Sequence, residues 1–222
     1  MDPARVTMFA GHYGSGKSNA AVNFAIAISG RGRAVTIADL DIVNPYYRSK
    51  DCAGMLRSAG VRLISSEYAN SNVDMPAIPA EANAITDDRE GLYVVDVGGD
   101  DQGALALGRY ADALRAEGDY DLFLVINRYR PSTRTPEEVA EVRREIEAAC
   151  RLSFTGIVNN SNLGVETDAE TVLSSVPFAE ACARLTALPL RMTCVWDRLA
   201  PELEGRVEHL LPMTLSNLQE SF

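Results

Sequence analysis

The sequence predicts an α/β protein in which a mostly parallel central sheet lies between two layers of helices. Short apolar runs rich in β-branched residues alternate with segments that have helical spacing, which is the pattern of repeated βαβ units. The runs are apolar almost throughout, as strands buried on both faces are. Polar residues cluster where the runs end, and parallel sheets bind ligands at the carboxyl ends of their strands.

The first half of the chain contains four predicted strands and two predicted helices. Gly30 and Gly118 are expected to end the helices, because glycine readily adopts the left-handed conformation of a helix C-terminus. The segment 65–90 has no regular pattern and is interpreted as an irregular insertion near the site. The predicted strands are 5–10, 34–39, 61–66 and 92–97, and the predicted helices are 17–29 and 102–117.

The second half contains three predicted strands and three predicted helices. Thr135 followed by Pro136 indicates a helix start, with an N-cap hydroxyl and a proline at the first helical position. Pro177 is expected to interrupt its helix, since proline lacks the N–H that helix bonding requires. The strands are 121–127, 154–160 and 188–195, and the helices are 136–152, 168–183 and 201–211.

Composition limits the classes of function. The 222 residues, 46% of them hydrophobic, suit a single α/β domain over 1–222. A formal net charge of −10 argues against nucleic-acid or anionic-membrane partners. No apolar stretch reaches the length of a membrane helix or fits a signal peptide, so a cytoplasmic location is expected. No Cys-x-x-Cys pair occurs, so reduced thiols are expected at Cys52, Cys150, Cys182 and Cys194.

Residues 11–18, GHYGSGKS, match the phosphate-binding pattern Gly-x-x-x-x-Gly-Lys-Ser between a strand and a helix. The glycines let backbone N–H groups point inward at phosphate oxygens. Lys17 is predicted to be catalytic by reaching the β- and γ-phosphates, and the Ser18 hydroxyl is predicted to bind Mg²⁺. The residues predicted to bind the nucleotide here are Gly11, His12, Tyr13, Gly14, Ser15, Gly16, Lys17, Ser18 and Asn19.

Carboxylates follow two other predicted strands. Asp39 and Asp41 are two residues apart, so on an extended segment their side chains point the same way. One could hold a magnesium-bound water while the other orients or deprotonates the attacking water, although turn chemistry is the alternative. Asp96, at the end of strand 92–97, is the expected Mg²⁺ carboxylate, and Gly98-Gly99 would let the next loop approach the γ-phosphate.

Asparagines and arginines follow the strands 121–127 and 154–160. Asparagine amides offer a donor and an acceptor to a purine edge. No Asn-Lys-x-Asp guanine motif occurs, which favours adenine. Arg128 and Arg130 are candidate cations near the phosphates, with exposed surface charge as the alternative.

Taken together, these residues resemble the MinD/ParA group of P-loop ATPases in the SIMIBI class, which includes nitrogenase iron protein. The resemblance implies a three-layer α/β/α P-loop NTPase fold and makes Asp41 the catalytic, water-positioning residue. It implies Mg²⁺ held by Ser18, Asp39 and Asp96, and an adenine-reading Asn160. A late Pro177 is similar to the proline of a loop that borders the adenine in that group.

The loop departs from the group at His12 and Tyr13, where the group carries a lysine that reaches the partner subunit's nucleotide and then a glycine. An imidazole does not replace a permanent ammonium. The lysine that couples two subunits is therefore missing. The candidates for completing hydrolysis are Arg48, Arg128, Arg130, His12 itself or a cation from a partner.

The function expected from these features is that of a Mg-ATP-binding ATPase, a switch or maturation factor acting on a protein partner, with a nucleotide-dependent homodimer as one form. The first alternative is an ATP-dependent small-molecule kinase or amide-forming synthetase, in which the arginines and segment 65–90 bind an anionic substrate. The second alternative is a non-catalytic nucleotide-binding scaffold.

Overall fold

The computed structural model describes residues 2–41, 52–65, 78–99 and 101–214. The strands are β1 Val6–Ala10, β2 Val35–Asp39, β3 Arg62–Ile64, β4 Leu92–Asp96, β5 Tyr120–Ile126, β6 Gly156–Asn159, β7 Leu190–Trp196 and β8 Leu210–Met213. The helices are α1 Lys17–Ser29, α2 Ala53–Ser58, α3 Ala84–Asp87, α4 Asp101–Gly108, α5 Ala111–Glu117, α6 Pro136–Cys150, α7 Ala169–Thr186 and α8 Ala200–Leu203.

All eight strands form one sheet in the order β3-β2-β4-β1-β5-β6-β7-β8, and every neighbouring pair is parallel. Alternate residues of each strand point to opposite faces, so the sheet carries two hydrophobic cores. One core packs against α3, α4, α5, α6 and the second half of α7. The other packs against α1, α2, α8 and the start of α7. The predicted three-layer α/β/α architecture is confirmed.

Two helix starts and ends follow the predicted local signals. Thr135 accepts a hydrogen bond from the Glu138 N–H, and the Glu138 carboxylate accepts one from the Thr135 N–H, which makes a capping box at the start of α6. Gly118 closes α5 with a φ of 76°, in the left-handed region that glycine adopts without strain.

The predicted helix 102–117 is two helices, α4 and α5, separated at 109–110. The close approach of α6 explains the break. A Cβ on Gly108 would lie 3.3 Å from the Ala149 carbonyl oxygen, and the Gly108 carbonyl accepts a 2.6 Å hydrogen bond from Arg151. The Arg151 side chain, from the residue directly after α6, thus satisfies a carbonyl at the end of α4, where helical carbonyls lack intrahelical donors.

The predicted last helix, 201–211, is wrong over most of its length, because α8 ends at Leu203 and the chain then forms β8. The side chains of Leu211 and Met213 are buried against the second core, as alternate residues of a strand are. Pro212 is tolerated because β8 is an edge strand, where one side of the backbone needs no ladder partner.

The predicted interruption at Pro177 is also wrong, since α7 runs without a break through it. Side chains from the loop after β5 bind carbonyl groups in the turn before the proline. Arg128 donates to the Ser174 carbonyl at 2.6 Å and the Tyr129 hydroxyl donates to the Thr171 carbonyl at 3.2 Å. These contacts tie the turn before the proline to the loop after β5, although neither acceptor is the carbonyl four residues before the proline, which is the one that loses its donor.

Two features lie partly outside the described residues or outside the predictions. Of the predicted irregular segment 65–90, residues 66–77 are not described, and the remainder contains a 3-10 helix, Ala80–Asn83, before α3. The short helix α2 has no counterpart among the predicted elements. No helix in the described ranges is long and apolar enough to cross a membrane.

All four cysteines are buried, and Cys150, Cys182 and Cys194 are free thiols, as the scattered spacing predicts. Burial raises the pKa of the Cys182 thiol to about 12, and it also raises the pKa of Cys150. These thiols therefore stay protonated at neutral pH, and their contribution is to packing in the core that covers α6 and α7.

Candidate nucleotide-binding site

The loop 11–16 joins β1 to α1 in the conformation that a phosphate cradle requires. Gly14 and Gly16 have φ angles of 78° and 80°, which side-chain-bearing residues adopt only under strain. A Cβ on Gly11 would lie 2.5 Å from the Val125 carbonyl oxygen of β5. Ser15 N–H donates to the His12 carbonyl at 3.1 Å, which closes the curl directly before α1. The loop therefore ends at a helix N-terminus, where backbone N–H groups and the helix dipole favour an anion.

Lys17 lies at the centre of the site and is 3% exposed. Its Nζ is 3.7 Å from Asp41 Oδ2, and the Asp41 side chain is also buried. On the other side, a Cβ on Gly99 would lie 2.9 Å from the same Nζ. The predicted catalytic lysine, the predicted catalytic aspartate and the Gly98-Gly99 loop are thus brought together from three different strand ends.

The strand order explains why the carboxylates meet the loop. β4 lies between β2 and β1, and in its register with β2 Asp39 is paired with Asp96. The Leu40 N–H donates to the Asp96 carbonyl at 2.9 Å, and the Asp41 N–H donates to Asp39 Oδ1 at 3.0 Å. Both predicted metal carboxylates are buried at the sheet edge that carries the glycine-rich loop.

The residues present fit a magnesium ion that is held together with a nucleotide. Within the described part of the chain, no group of three or more His, Cys, Asp or Glu residues could hold a metal ion alone. Mg²⁺ commonly binds through one or two carboxylates, phosphate oxygens and waters rather than in an all-protein cage. Asp39, Asp96 and the buried hydroxyl of Ser18 in the first turn of α1 are oxygen donors of that kind.

The predicted adenine-reading residue, Asn160, contacts the phosphate loop itself. Its Nδ2 donates to the Ser15 carbonyl at 2.7 Å. Its Oδ1 is buried and has no hydrogen-bond partner in the described ranges. An unsatisfied buried acceptor is costly unless a ligand donates to it. One end of this amide therefore supports the loop, and the other is available to a donor.

The structure places the predicted loop residues His12 and Tyr13 differently from each other. His12 is half-buried, and its Nδ1 lies 3.1 Å from the Tyr13 carbonyl oxygen. The Tyr13 side chain is 52% exposed, while its backbone faces Gly99, where a Cβ would lie 3.1 Å from Tyr13 N. Asn19 is buried in α1 and its carbonyl accepts a hydrogen bond from Asn23.

The candidate cations are separated by the fold. Arg128 donates to α7 and its guanidinium lies 5.7 Å from the Phe178 ring centroid, next to the exposed Pro177. Arg130 lies beside Gly14, with Cδ 3.8 Å from the position of an added Cβ. Arg48 lies outside the described residues. Pro177 is in a helix rather than in a loop, and its role beside the base stays a prediction.

Sequence reasoning did not identify one close contact in the site. Gly103, in the first half of α4, packs against the backbone of Gly98, so that any side chain there would collide with the loop that carries Gly99. A glycine within a predicted helix is the only sequence signal for it, since glycine lowers helix stability relative to alanine and marks close backbone approach.

Comparison with protein families identifies one domain family. The family described as CobQ/CobB/MinD/ParA nucleotide binding domain matches residues 6–173, which include the carboxyl ends of β1, β2, β4, β5 and β6. A search of the curated proteins gives no match.

Solved structures share the fold at low sequence identity. Cell division protein FtsY from Thermotoga maritima matches with a TM-score of 0.60 and 18% identity, over 87% of this chain and 62% of that chain. FtsY from Mycoplasma mycoides gives 0.63 and 15%, over 98% and 66%. Signal recognition particle 54 kDa protein from Aeropyrum pernix, in complex with GDP, gives 0.55 and 16%, over 87% and 41%. The chain spans less than two thirds of the length of these proteins.

Proposed function

The chain belongs to the CobQ/CobB/MinD/ParA nucleotide-binding domain family, and on that basis we propose that it is a Mg-ATP-dependent ATPase whose nucleotide state controls a protein partner. The observation that carries the proposal is the buried Lys17 ammonium, which lies between the Asp41 carboxylate and the Gly99 backbone at the mouth of a glycine-rich loop. A buried ammonium on the first residue of a helix, where backbone N–H groups and the helix dipole favour an anion, is suited to a polyphosphate.

Each site residue has a distinct part in this proposal. The backbone of 11–16 and the Lys17 ammonium bind the β- and γ-phosphates, and Ser18, Asp39 and Asp96 hold Mg²⁺. The ion, when bound, neutralises charge on the phosphate oxygens. Asp41 orients the attacking water and accepts its proton. Burial of these side chains excludes bulk water, which strengthens each electrostatic contact.

Adenine is the proposed base because the residues that directly follow β5 and β6 carry amides rather than carboxylates. Guanine presents two donors on its Watson–Crick edge, N1–H and the N2 amine, which a carboxylate accepts best. Adenine presents one donor and one acceptor, which suit an amide. The residues that follow β5 and β6 are Asn127 and Asn160, and the free acceptor of Asn160 can receive the adenine amine.

We expect Mg-ATP to bind about 5- to 150-fold more tightly than Mg-GTP, because a mismatched base edge leaves a buried polar group unpaired at a cost of about 1–3 kcal/mol. Isothermal titration calorimetry with each nucleotide measures both dissociation constants. Tighter binding of GTP would overturn the adenine assignment and favour guanine, the base of the nucleotide in the Aeropyrum pernix complex. Binding of neither nucleotide would overturn the proposed function.

Turnover assays on the same protein distinguish an ATPase from a scaffold and from a kinase or synthetase. Phosphate release from Mg-ATP without any added acceptor supports the ATPase. Binding without phosphate release or ADP formation supports a scaffold. ADP formation only with a small acceptor supports a kinase, which transfers the phosphoryl group to the acceptor, or an amide-forming synthetase, which also releases phosphate. The expected unstimulated rate is slow, because positioning and charge neutralisation provide most of the acceleration in phosphoryl transfer.

Exposed apolar side chains beside the site support a protein partner. Tyr13 lies in the phosphate loop and is 52% exposed, and Leu105 lies in α4, the helix after Gly99, and is 59% exposed. Movement of the Gly98-Gly99 loop on nucleotide binding would move α4 and the apolar surface it carries. The bound nucleotide can thus change the position of the apolar surface that a protein partner would contact.

If the partner is a second copy of this chain, Mg-ATP is expected to shift the protein from monomer to dimer. Sedimentation velocity without nucleotide, with ADP and with a non-hydrolysable ATP analogue measures the shift, and Leu105→Ser is expected to weaken it. Leu185→Ser is the matched control, because Leu185 is equally exposed but lies near the end of α7. An unchanged sedimentation coefficient in all three states would exclude the homodimer.

A further inference from the structure

The loop after β5 places an arginine side chain beside the phosphate loop. Arg130 Cδ and Nε lie 3.8 and 3.9 Å from the position that a Cβ on Gly14 would occupy. Gly14 and Arg130 are both exposed, so the guanidinium is on the open side of the cradle, where a nucleotide would enter. The two residues are far apart in sequence and meet because β5 is the neighbour of β1.

The Arg130 guanidinium is free to bind a ligand. In the described part of the chain its side chain makes no hydrogen bond and no ion pair, although the chain carries an excess of acidic residues. Arg128, two residues earlier, is instead held by the Ser174 carbonyl and lies over aromatic rings. The structure thus distinguishes two arginines that are equivalent by sequence.

The backbone beneath Arg130 is held in place. The Arg130 N–H donates to the Asn127 carbonyl at 3.0 Å, and the Thr133 hydroxyl donates to the same carbonyl at 2.7 Å. Asn127 and Thr133 are both buried. A long side chain on a fixed turn can move its charged end by rotamer changes alone, without rearrangement of the loop.

The site needs a further cation. Asp39, Asp41 and Asp96 are buried at the sheet edge that carries the Lys17 ammonium, which lies 3.7 Å from Asp41, and a triphosphate brings more negative charge than that ammonium and Mg²⁺ together neutralise. His12 occupies the position of the lysine found in similar loops, and its Nδ1 is directed to a carbonyl of its own loop. A guanidinium remains charged at every physiological pH and can bind two phosphate oxygens at once.

We propose that Arg130 is a catalytic residue supplied in cis, whose guanidinium binds the bridging and γ-phosphate oxygens of the nucleotide; this rests on the proposed function. As the water oxygen bonds to the γ-phosphorus, the bond from phosphorus to the bridging oxygen breaks. ADP leaves with that electron pair, and the proton of the water passes to Asp41. Arg130 stabilises the charge that develops on the bridging oxygen, so the chain hydrolyses ATP without a cation from another subunit.

The test compares Arg130→Ala with Arg130→Lys and with Arg134→Ala, an exposed arginine at the far end of the same loop. Arg130→Ala is expected to lower kcat by about 100-fold, with ATP affinity changed by less than about fivefold, as for loss of a group that acts mainly in the transition state. Arg130→Lys is expected to have a kcat between those of Arg130→Ala and the wild type. Millimolar guanidinium added to Arg130→Ala is expected to raise its kcat. Arg134→Ala is expected to match the wild type.

Mixing variants distinguishes action in cis from action across a dimer. Lys17→Ala retains Arg130 but is expected to lack nucleotide, so adding it to Arg130→Ala restores activity only if Arg130 acts in trans. No restoration is expected. Restoration, or a normal kcat in Arg130→Ala, would overturn this inference while leaving the ATPase intact. A wild type that binds and hydrolyses no nucleotide would overturn both.

Discussion

Lys17→Ala is expected to abolish measurable nucleotide binding and turnover. Lys17 is the buried ammonium at the phosphate loop, and removing a buried, charge-paired group costs about 2–5 kcal/mol, or on the order of 30- to 4000-fold in affinity. Isothermal titration with Mg-ATP and a phosphate-release assay measure the two losses.

The control for this prediction is a measurement of whether the Lys17 variant is folded. Asp41 loses its ammonium neighbour in Lys17→Ala, so a lower thermal unfolding midpoint is expected and must be measured by circular dichroism. Lys17→Met fills more of the space while removing the charge, and is expected to fold and still not bind. A well-folded Lys17→Met protein with wild-type affinity for Mg-ATP would show that the loop is not a phosphate site.

Asp41→Asn is expected to separate binding from hydrolysis. The amide has the shape of the carboxylate but cannot accept the proton of the attacking water, and loss of such a group lowers kcat by about 100- to 10,000-fold. ATP affinity is expected to stay the same or to increase, because Lys17 loses its anionic neighbour at 3.7 Å and becomes available to phosphate. Single-turnover phosphate release and calorimetry measure the two parameters.

Asp119→Asn is the matched control, since Asp119 is exposed and directly precedes β5, at the opposite edge of the sheet. It is expected to behave as the wild type does in both assays. An Asp41→Asn protein that releases phosphate at the wild-type rate would remove Asp41 from the catalytic role. Loss of ATP binding in the same variant would assign Asp41 to the nucleotide cradle instead.

The alternation of apolar runs and helical segments predicts most of the fold, because the burial of a strand or helix is reflected in the apolar pattern of its own residues. A strand covered on both faces must be apolar along its length, and β4 and β5 are recognisable from that alone. The end of the chain could not be predicted in this way. The residues of β8 have apolar side chains that fit a helix as well as a strand, and only the exposed edge of β7 decides between them.

The candidate site also has residues that could be predicted from the sequence and contacts that could not. The loop 11–18 and the carboxylates of Asp39, Asp41 and Asp96 could be identified by spacing, because phosphate and Mg²⁺ chemistry requires these residue types at strand ends. Asn160 was assigned to the base by resemblance, whereas the structure adds a hydrogen bond to the Ser15 carbonyl that spacing could not reveal.

The fold class, the phosphate loop and the acidic strand ends can be predicted from the amino-acid sequence, since each depends on residues that are neighbours along the chain. Which distant side chains meet that loop depends on how the strands are ordered in the folded protein. The strand order places β5 beside β1 and β4 between β1 and β2, so Arg130 lies beside Gly14 and Asp96 pairs with Asp39. Arg128, two residues before Arg130, turns instead to α7, because side-chain direction depends on the contacts available in the folded chain.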